Sequence, residues 1–385
     1  MQEVSLPESD AIADARRSME VCNACRYCEG FCAVFPAMEL RREFSAGDLS
    51  YLANLCHDCR GCYYACQYAP PHEWGIAVPR SLALVRAQSY EEYAWPAPLA
   101  RAFQRNGVVV ASLTAAALAL VLILTIGLNG DAALYASRGV RPNSFYEVIP
   151  LWVMQLIGLA TFVFSLLALG VGAVRFWRDA GAALAVTPRA AGRALWDVLS
   201  LRNLGGGGHG CNDSDERFSM TRRRLHHAMF YGFMLCFAAT CVGFVYHAFL
   251  GWPAPYPFVS APVLLGTIGG VALMAGTGGL FAMKTVDDSD RGARALLGGD
   301  VAMLLLLFAA AGTGLALLGL RATSGMGIAL GVHLGFILAL FVLLPYSKMV
   351  HGVYRSAALL RAAIERRDAA RNSPVQRAGS SPSAQ

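Results

Sequence analysis

Six long apolar stretches limit what this chain can fold into. Each approaches or exceeds the ~20 apolar residues that a helix needs to cross a bilayer. They lie at roughly 106–128, 149–174, 226–250, 260–283, 299–320 and 326–345. The chain is 56% hydrophobic and only 15% charged, a balance typical of membrane proteins. The sequence therefore predicts an α-helical membrane protein with a six-helix transmembrane bundle in a lipid bilayer.

Basic residues between these stretches predict the orientation of the bundle. Arginine is concentrated in the loop 175–225, and basic residues recur near 284–298 and after Lys348. Because such residues favour the cytoplasmic side, we expect both termini in the cytoplasm and a multi-pass protein of the inner (cytoplasmic) membrane. The segment before Ser18 lacks the apolar core of a secretory signal, which agrees with a cytoplasmic N-terminus. The net charge of +6 comes largely from these flanking arginines and gives no reason to expect nucleic acid.

Two cysteine runs of identical spacing precede the first apolar stretch, in a polar segment that we expect to be a small α-helical domain with a linker, residues 1–98. The runs are Cys22-x2-Cys25-x2-Cys28-x3-Cys32 and Cys56-x2-Cys59-x2-Cys62-x3-Cys66. This is the bacterial ferredoxin spacing, in which the fourth cysteine of each run binds the other run's cluster. We therefore expect a ferredoxin-like domain with two [4Fe–4S] clusters. One would be bound by Cys22, Cys25, Cys28 and Cys66, and the other by Cys56, Cys59, Cys62 and Cys32.

Two other interpretations of the cysteine runs were weighed. A disulfide framework fits poorly with a cytoplasmic domain, where thiols stay reduced. A zinc site would not need two runs of four cysteines. Ferredoxins place proline directly after the fourth cysteine, whereas Pro36 and Pro70 come four residues later here; we interpret this as a variant of the motif.

Histidines in the third and sixth stretches predict haem. His226 and His247 would lie about 31 Å apart along one helix, and His333 and His351 about 27 Å apart along another. If the helices are antiparallel, His226 meets His351 at the cytoplasmic side and His247 meets His333 at the outer side. The sequence thus predicts one or two haem b groups with two histidine ligands each, as bundle cofactors usually bridge helices.

Three further features complete this organisation. The neighbouring His227 would face a different side of its helix than His226. Pro345 is expected to kink the sixth helix without necessarily ending it. The transmembrane domain would span 99–360, followed by a disordered tail, 361–385. The glycine-rich stretch from Gly205 to Cys211 lacks the strand and lysine of a phosphate-binding loop, so a flexible or partner-docking loop is the better interpretation.

The combined motifs resemble tricarballylate utilization protein B, a family also described as CitB-type. The resemblance rests on the two cysteine runs, the glycine-rich loop, and three short stretches, which are Ala69-Pro70-Pro71-His72-Glu73, Arg222-Arg223-Arg224-Leu225-His226-His227 and Pro345-Tyr346-Ser347-Lys348-Met349-Val350-His351. It covers about residues 18–360. The family is also similar to the C-terminal part of a flavin-containing cobalamin-biosynthesis protein, and the last span resembles the haem-binding subunit of respiratory nitrate reductase.

The resemblance implies an electron carrier with no substrate chemistry of its own. Its family partner is a soluble FAD-dependent tricarballylate dehydrogenase, whose reduced flavin it would re-oxidise, passing electrons through the clusters and haem b to membrane quinone. Two other functions stay open. One is the electron-supplying component of an oxygenase, as in the cobalamin pathway, and the other is a redox sensor or an anchor for a lactate, glycolate or heterodisulfide system.

Overall fold

The computed structural model describes residues 9–103, 107–181, 185–213, 215–286 and 296–372. Within these ranges every regular element is helical, apart from one isolated β-bridge between Cys211 and Ser219. The predicted all-helical fold is confirmed. The predicted tail from residue 373 onward, the first eight residues and part of the basic loop near 284–298 lie outside the described residues.

Six helices form the N-terminal segment around the cysteine runs. They are α1 (Asp10–Cys25), α2 (Val34–Met38), α3 (Ala46–Leu55), α4 (Gly61–Tyr64), α5 (Val78–Glu92) and α6 (Ala97–Phe103). Ser9 caps α1 by accepting a hydrogen bond from the Ile12 amide. Ser45 and Asp48 form a capping box at the start of α3, which satisfies amide groups that have no partner within the helix. These caps explain why the polar segments between the cysteines are helical.

Within the described ranges, six helices are long and apolar enough to cross a membrane, as predicted. They are α7 (Gly107–Asn129), α9 (Leu151–Gly181), α11 (Thr221–Ala248), α12 (Ala261–Val286), α13 (Leu297–Leu320) and α14 (Met326–Leu343). Shorter helices, α8 (Ala132–Tyr135) and α10 (Pro188–Leu199), occupy two of the connections. Many large apolar side chains of the spans are exposed, among them Leu156, Leu159 and Ile268. An exposed apolar surface of this extent fits contact with lipid.

Helices α11 and α12 pack backbone against backbone, because glycines line their contact. A Cβ atom added to Gly269 would lie 2.8 Å from the Cys236 amide nitrogen, and one added to Gly232 would lie 2.5 Å from the Leu273 nitrogen. Small residues allow this close approach between membrane helices. The contact fixes the position of α11, which carries His226 and His247.

The sixth apolar helix ends before Pro345, which the sequence did not predict. Helix α14 ends at Leu343, a short 3₁₀ helix follows at Lys348–Val350, and a separate helix α15 runs over His351–Asn372. The expectation of one kinked helix through Pro345 is therefore wrong, because the proline ends the helix. The predicted disordered tail is also wrong for residues 361–372, which are helical.

Helix α15 packs onto the N-terminal helices and becomes part of their hydrophobic core. Buried Tyr354, Ala358 and Leu359 join Met19, Leu52 and other core residues. A buried ion-pair network adds to the contact: Arg41 pairs with Glu365 at 2.6 Å and with Asp48 at 2.7 Å, and Arg361 pairs with the same two carboxylates. Burial of Ala362, Ala363 and Ile364, together with this network, explains why the chain stays helical beyond residue 360.

Candidate functional site

The first thiol group consists of Cys22, Cys25, Cys28 and Cys66. Helix α1 ends at Cys25, and Arg26 then adopts a left-handed conformation with φ of 54°, which turns the chain back toward Cys28. A cavity of about 240 Å³ is lined by all four of these cysteines and by Cys62. Cys25 is exposed, so the first thiol group lies at the surface of the protein.

The thiols of this group perturb one another electrostatically. Burial, followed by the charges of Cys66, Cys28 and Cys25, raises the pKa of Cys22 to about 12. Burial and the charges of Cys66 and Cys25 raise the pKa of Cys28 to about 11. Several thiolates in one cavity repel each other unless a cationic centre binds them, and metal coordination deprotonates a thiol outright. The donor set and the cavity therefore fit an iron–sulfur cluster.

The second thiol group consists of Cys32, Cys56, Cys59 and Cys62, and it lies deeper. Cys56 and Cys59 are each 8% exposed. Burial and then the charges of Cys59 and Cys56 raise the pKa of Cys32, and burial and then Cys56 raise that of Cys59 to about 12. The structure thus groups Cys32 with the second run and Cys66 with the first. Which cysteines bind iron stays a prediction.

The two thiol groups are neighbours. The pKa of Cys62 is raised by burial and by the members of its own group, and also by Cys28 of the first group. Within the described residues no set of three or more His, Cys, Asp or Glu side chains has the geometry to bind a single metal ion. The four cysteines of a four-iron cluster bind four different iron atoms at separate corners, whereas the ligands of a zinc site all bind one ion. Cysteines that hold a cluster therefore need not converge on a single point.

The glycine-rich loop covers the second thiol group. Residues Arg202–Gly208 form a 3₁₀ helix, and a Cβ atom added to Gly206 would lie 3.7 Å from the Cys59 sulfur. The Asn212 amide donates to the Cys59 carbonyl at 2.9 Å. Cys211 is fully buried beside it, and its thiol donates to the Leu204 carbonyl. The loop therefore contacts Cys59 through Gly206 and Asn212, a contact that the expectation of a flexible or partner-docking loop did not include.

His226 and His351 face each other beneath the second thiol group. Their ring centroids are 6.1 Å apart and their planes are perpendicular. Two imidazoles that each coordinate one metal at ~2.0 Å would have their centroids about 6 Å apart. The His351 Nδ1 atom donates to the Lys348 carbonyl, the contact that typically orients a metal-binding imidazole. The Nδ1 atom of His226 is buried and has no hydrogen-bond partner in the described part of the chain. The pair fits two histidines that would hold a haem iron.

His227 points elsewhere. Its Nε2 atom hydrogen-bonds to the Ser200 carbonyl at 3.1 Å, and its ring stacks on Tyr231. The helix phase that separates His226 from His227 in the sequence is therefore present in the structure.

A cavity of about 170 Å³ lies between the N-terminal helices and the bundle, and we call it the interdomain cavity. His57, His226 and His351 line it, together with five cationic and three acidic side chains. These charged residues are Arg86, Arg222, Lys284, Lys348, Arg355, Asp58, Asp213 and Asp300. A cavity with this excess of positive charge favours an anionic group, such as a propionate.

His57 connects the second thiol group to this cavity. It follows Cys56 directly, and its Nδ1 atom lies 2.8 Å from the Leu55 carbonyl. Burial and the charge of Arg355 lower the pKa of His57 well below its usual range, so the ring is neutral at pH 7. His72, in contrast, packs with Tyr68 and Trp74 away from the cavity.

The structure does not bring His247 and His333 together. The Nδ1 atom of His247 lies 3.3 Å from the Tyr146 hydroxyl, and that of His333 lies 3.2 Å from the Thr313 hydroxyl of α13. Among the described residues neither ring has a recorded contact with the other. A second haem at this pair stays a prediction.

Sequence reasoning missed Arg86 and Arg355. Both guanidinium groups donate to the Cys56 carbonyl at 2.8 Å. A signal for Arg355 was present, since it follows His351 by four residues and thus shares its helix face. Nothing in the sequence near Arg86 pointed to the site, because this contact joins α5 to the end of α3.

Comparison with known proteins agrees with these features. The sequence model of citrate utilization protein B matches residues 104–372, and the model of the Fer4-like domain of that protein matches residues 15–92. Citrate utilization protein B of Escherichia coli is 47% identical over 358 residues, which covers 92% of this chain and 93% of the relative. No solved structure matches. The predicted CitB-type resemblance is confirmed, and the chain belongs to the citrate utilization protein B (CitB) family.

Proposed function

We propose that the chain is the membrane electron-transfer subunit of a flavoprotein dehydrogenase system. It re-oxidises the reduced flavin of an FAD-dependent tricarballylate dehydrogenase and delivers the electrons to membrane quinone. Two [4Fe–4S] clusters and haem b, when bound, supply one-electron chemistry that divides the electron pair of a flavin. The observation that carries the proposal is the succession of an exposed thiol group, a buried thiol group and the pair His226 and His351.

Short contacts join each of these centres to the next. Cys62 of the second thiol group lies near Cys28 of the first. Arg355 reaches from the helix that begins at His351 to the Cys56 carbonyl at 2.8 Å. His57, next to Cys56, lines the same cavity as His226 and His351. Neighbouring centres of this kind support a chain of electron carriers.

The cysteine and histidine roles in this proposal follow the sequence and the local geometry. The first thiol group would hold one cluster and the second thiol group the other. His226 and His351 would hold the haem iron, and the cations of the interdomain cavity would favour the negative charge of its propionates. The Lys348 carbonyl, which accepts from His351, would fix the orientation of that ring.

The membrane orientation supports a flavoprotein partner on the side of the cysteine runs. The N-terminal helices, α10 and α15 pack together at one end of the bundle, and the basic loops belong to that end. By the positive-inside rule this end is cytoplasmic. A dehydrogenase in the cytoplasm would then reach the exposed Cys25.

The substrate class is supported by the family. The name of the Escherichia coli relative refers to citrate, and tricarballylate has the carbon skeleton of citrate without its hydroxyl group. The central carbon of tricarballylate carries a hydrogen that a flavin can take as a hydride. In citrate this carbon carries the hydroxyl group and has no hydrogen. The alternative is a role as electron supplier to another flavoprotein dehydrogenase, of the lactate, glycolate or heterodisulfide type, or to an oxygenase in cobalamin biosynthesis.

The test is a reconstitution with the purified flavoprotein. With tricarballylate present, we expect the haem absorbance of the membrane protein to show reduction, and an added quinone to re-oxidise it. A change of Cys59 to Ser should block haem reduction while the flavin is still reduced by substrate. Cys241→Ser, which alters a cysteine outside both runs, is the matched control and should behave as the unaltered chain.

Two results would contradict the proposal. One is a reduced flavoprotein that does not reduce the haem of an intact, iron-loaded chain. The other is oxidation of tricarballylate by this chain alone. Haem reduction by a different flavoprotein, with none by this one, would favour the alternative partners.

A further inference from the structure

Two arginines beside the second thiol group are bound only to backbone oxygens among the described residues. Arg86 donates to the Ala53 carbonyl at 3.1 Å and to the Cys56 carbonyl at 2.8 Å. Arg355 donates to the Asn54 carbonyl at 3.2 Å and to the Cys56 carbonyl at 2.8 Å. These carbonyls form the C-terminal end of α3, where partial negative charge accumulates. Both cations are thus held against the backbone of a single cysteine.

The nearby carboxylates are already matched with other cations. Asp58 pairs with Arg60 and Arg222. Asp300 pairs with Lys284 at 2.8 Å and with Lys348. Buried charges are normally paired, because an unpaired charge is costly to remove from water. Neither Arg86, which is 7% exposed, nor Arg355 forms an ion pair with a described carboxylate, although Asp58 acts on both through its charge. The lining of the interdomain cavity has five cations and three carboxylates, so an excess of positive charge remains.

Hydrogen bonds to sulfur distinguish the same thiol group. The Asp58 amide donates to the Cys56 sulfur at 3.4 Å. Backbone amides of Val34 and Phe35 donate to Cys32, and that of Gly61 donates to Cys59. Burial and neighbouring thiols, without an amide donor among the described residues, raise the pKa of Cys22 and Cys28 in the first thiol group. Its lining cation, Arg26, is exposed to solvent, which screens its charge.

We propose that Arg86 and Arg355, together with these amide–sulfur hydrogen bonds, hold the cluster of the second thiol group at a higher reduction potential than that of the first. The inference rests on the proposed function, since it assumes that both clusters are bound. Reduction adds one electron to an anionic cluster, so nearby positive charge and hydrogen bonds to sulfur favour the reduced form. Burial alone would oppose it, and the two arginines offset that cost. Electrons that enter at the exposed Cys25 side then run toward His226 and His351.

The test is a redox titration followed by EPR on the full chain with both clusters loaded. The two signals are first assigned with Cys25→Ser and Cys59→Ser. In the unaltered chain the signal of the second thiol group should be reduced first. Arg355→Gln and Arg86→Gln should each weaken its reduction at least tenfold in equilibrium constant, a shift of about 59 mV for one electron. The first cluster serves as the internal reference and should shift less.

Matched variants separate charge from folding. Arg367→Gln removes another arginine of the same helix, one that pairs with the exposed Asp368, and should leave both potentials in place. Arg355→Lys keeps the charge and should keep most of the potential; it also provides the measurement if a glutamine variant does not accumulate. A haem potential that falls while the second cluster stays unchanged would show that the arginines serve the propionates alone, and the inference would be overturned.

The failure of this inference is distinguishable from failure of the proposed function. Two intact clusters whose order is reversed, or whose potentials ignore both arginines, overturn the inference and leave the electron-carrier role in place. A chain that binds no iron overturns both.

Discussion

Glu365, close to the end of the described chain, accepts hydrogen bonds from Arg41 at 2.6 Å and from the Tyr51 hydroxyl at 3.0 Å. Arg361 donates to the same carboxylate at 2.9 Å, and its guanidinium lies 4.2 Å from the centre of the Tyr51 ring. The last helix is therefore fastened to the cysteine-bearing helices by a network of charges with little exposure to water.

We expect Glu365→Gln to loosen this contact, because it leaves Arg41 and Arg361 with Asp48 as their shared carboxylate. Breaking a buried ion pair by removing one partner costs about 3–5 kcal/mol. Limited proteolysis should then cut α15 faster, with loss of iron from the nearby clusters as the second readout. Asp368→Asn, which alters an exposed carboxylate on the same helix, is the control and should be cut at the rate of the unaltered chain.

The same network predicts a loss of stability in acid. Burial alone would raise the pKa of Asp48. The hydrogen bonds from Arg41 and Ser45 have the opposite effect, and the pKa of Asp48 lies below its usual range. A carboxylate with a lowered pKa in the folded state stabilises the protein above about pH 4, and this contribution is lost as the pH falls through the lowered value. Protection of α15 from protease should thus decline below pH 4. In Asp48→Asn this pH dependence should be weaker. An unchanged pH profile in this variant would show that the Asp48 carboxylate does not cause the loss of protection in acid.

The crossed grouping of the cysteines predicts which cluster each variant damages. Cys32→Ser should alter the EPR signal of the cluster bound by Cys56, Cys59 and Cys62, because the Cys32 thiol lies among them. Cys66→Ser should alter the other signal. The unaltered chain should contain about eight iron atoms in clusters, four for each. If Cys32→Ser instead damaged the cluster of its own run, the crossed assignment would be wrong.

The histidine pair predicts a shared haem. His226→Ala and His351→Ala should each abolish the same low-spin haem spectrum, because their rings are 6.1 Å apart and face one cavity. His227→Ala is the matched control, since that ring hydrogen-bonds to the Ser200 carbonyl, and it should keep the haem. Loss of haem in the control alone would reverse the assignment. A pyridine haemochrome assay giving two haems per chain would support the predicted pair His247 and His333.

The glycine contact between α11 and α12 predicts a sensitivity to one added methyl group. In Gly269→Ala the new Cβ atom would lie 2.8 Å from the Cys236 amide nitrogen, so the helices must move apart. Overpacking of this kind costs about 1–3 kcal/mol, and the shift of α11 should reduce haem content through His226. Gly319→Ala, at a glycine with nothing within 4 Å, should retain haem and thermal stability.

The helices and the local motifs could be predicted from the sequence, but the contacts between segments that are distant in sequence could not. The six apolar stretches predicted the spans because a membrane helix can be recognised from the length and hydropathy of its own sequence. Both histidine pairs were predicted from matched depth on two antiparallel helices. The rings of His226 and His351 face each other, whereas His247 contacts Tyr146 and His333 contacts Thr313. The order of residues 361–372 depended on Tyr51 and Arg41, more than three hundred positions away. No local pattern contains such contacts.

The closeness of Gly206 to Cys59 also makes the two cysteine groups unequal toward dioxygen. The glycine-rich loop lies against Cys59 of the second group and limits the approach of the gas from that side. The first group has no such cover at Cys25. In air, oxidation would therefore start at Cys25, and once iron is lost there its thiol becomes the first to form sulfenic acid. A sample that has lost half of its iron would retain the inner half.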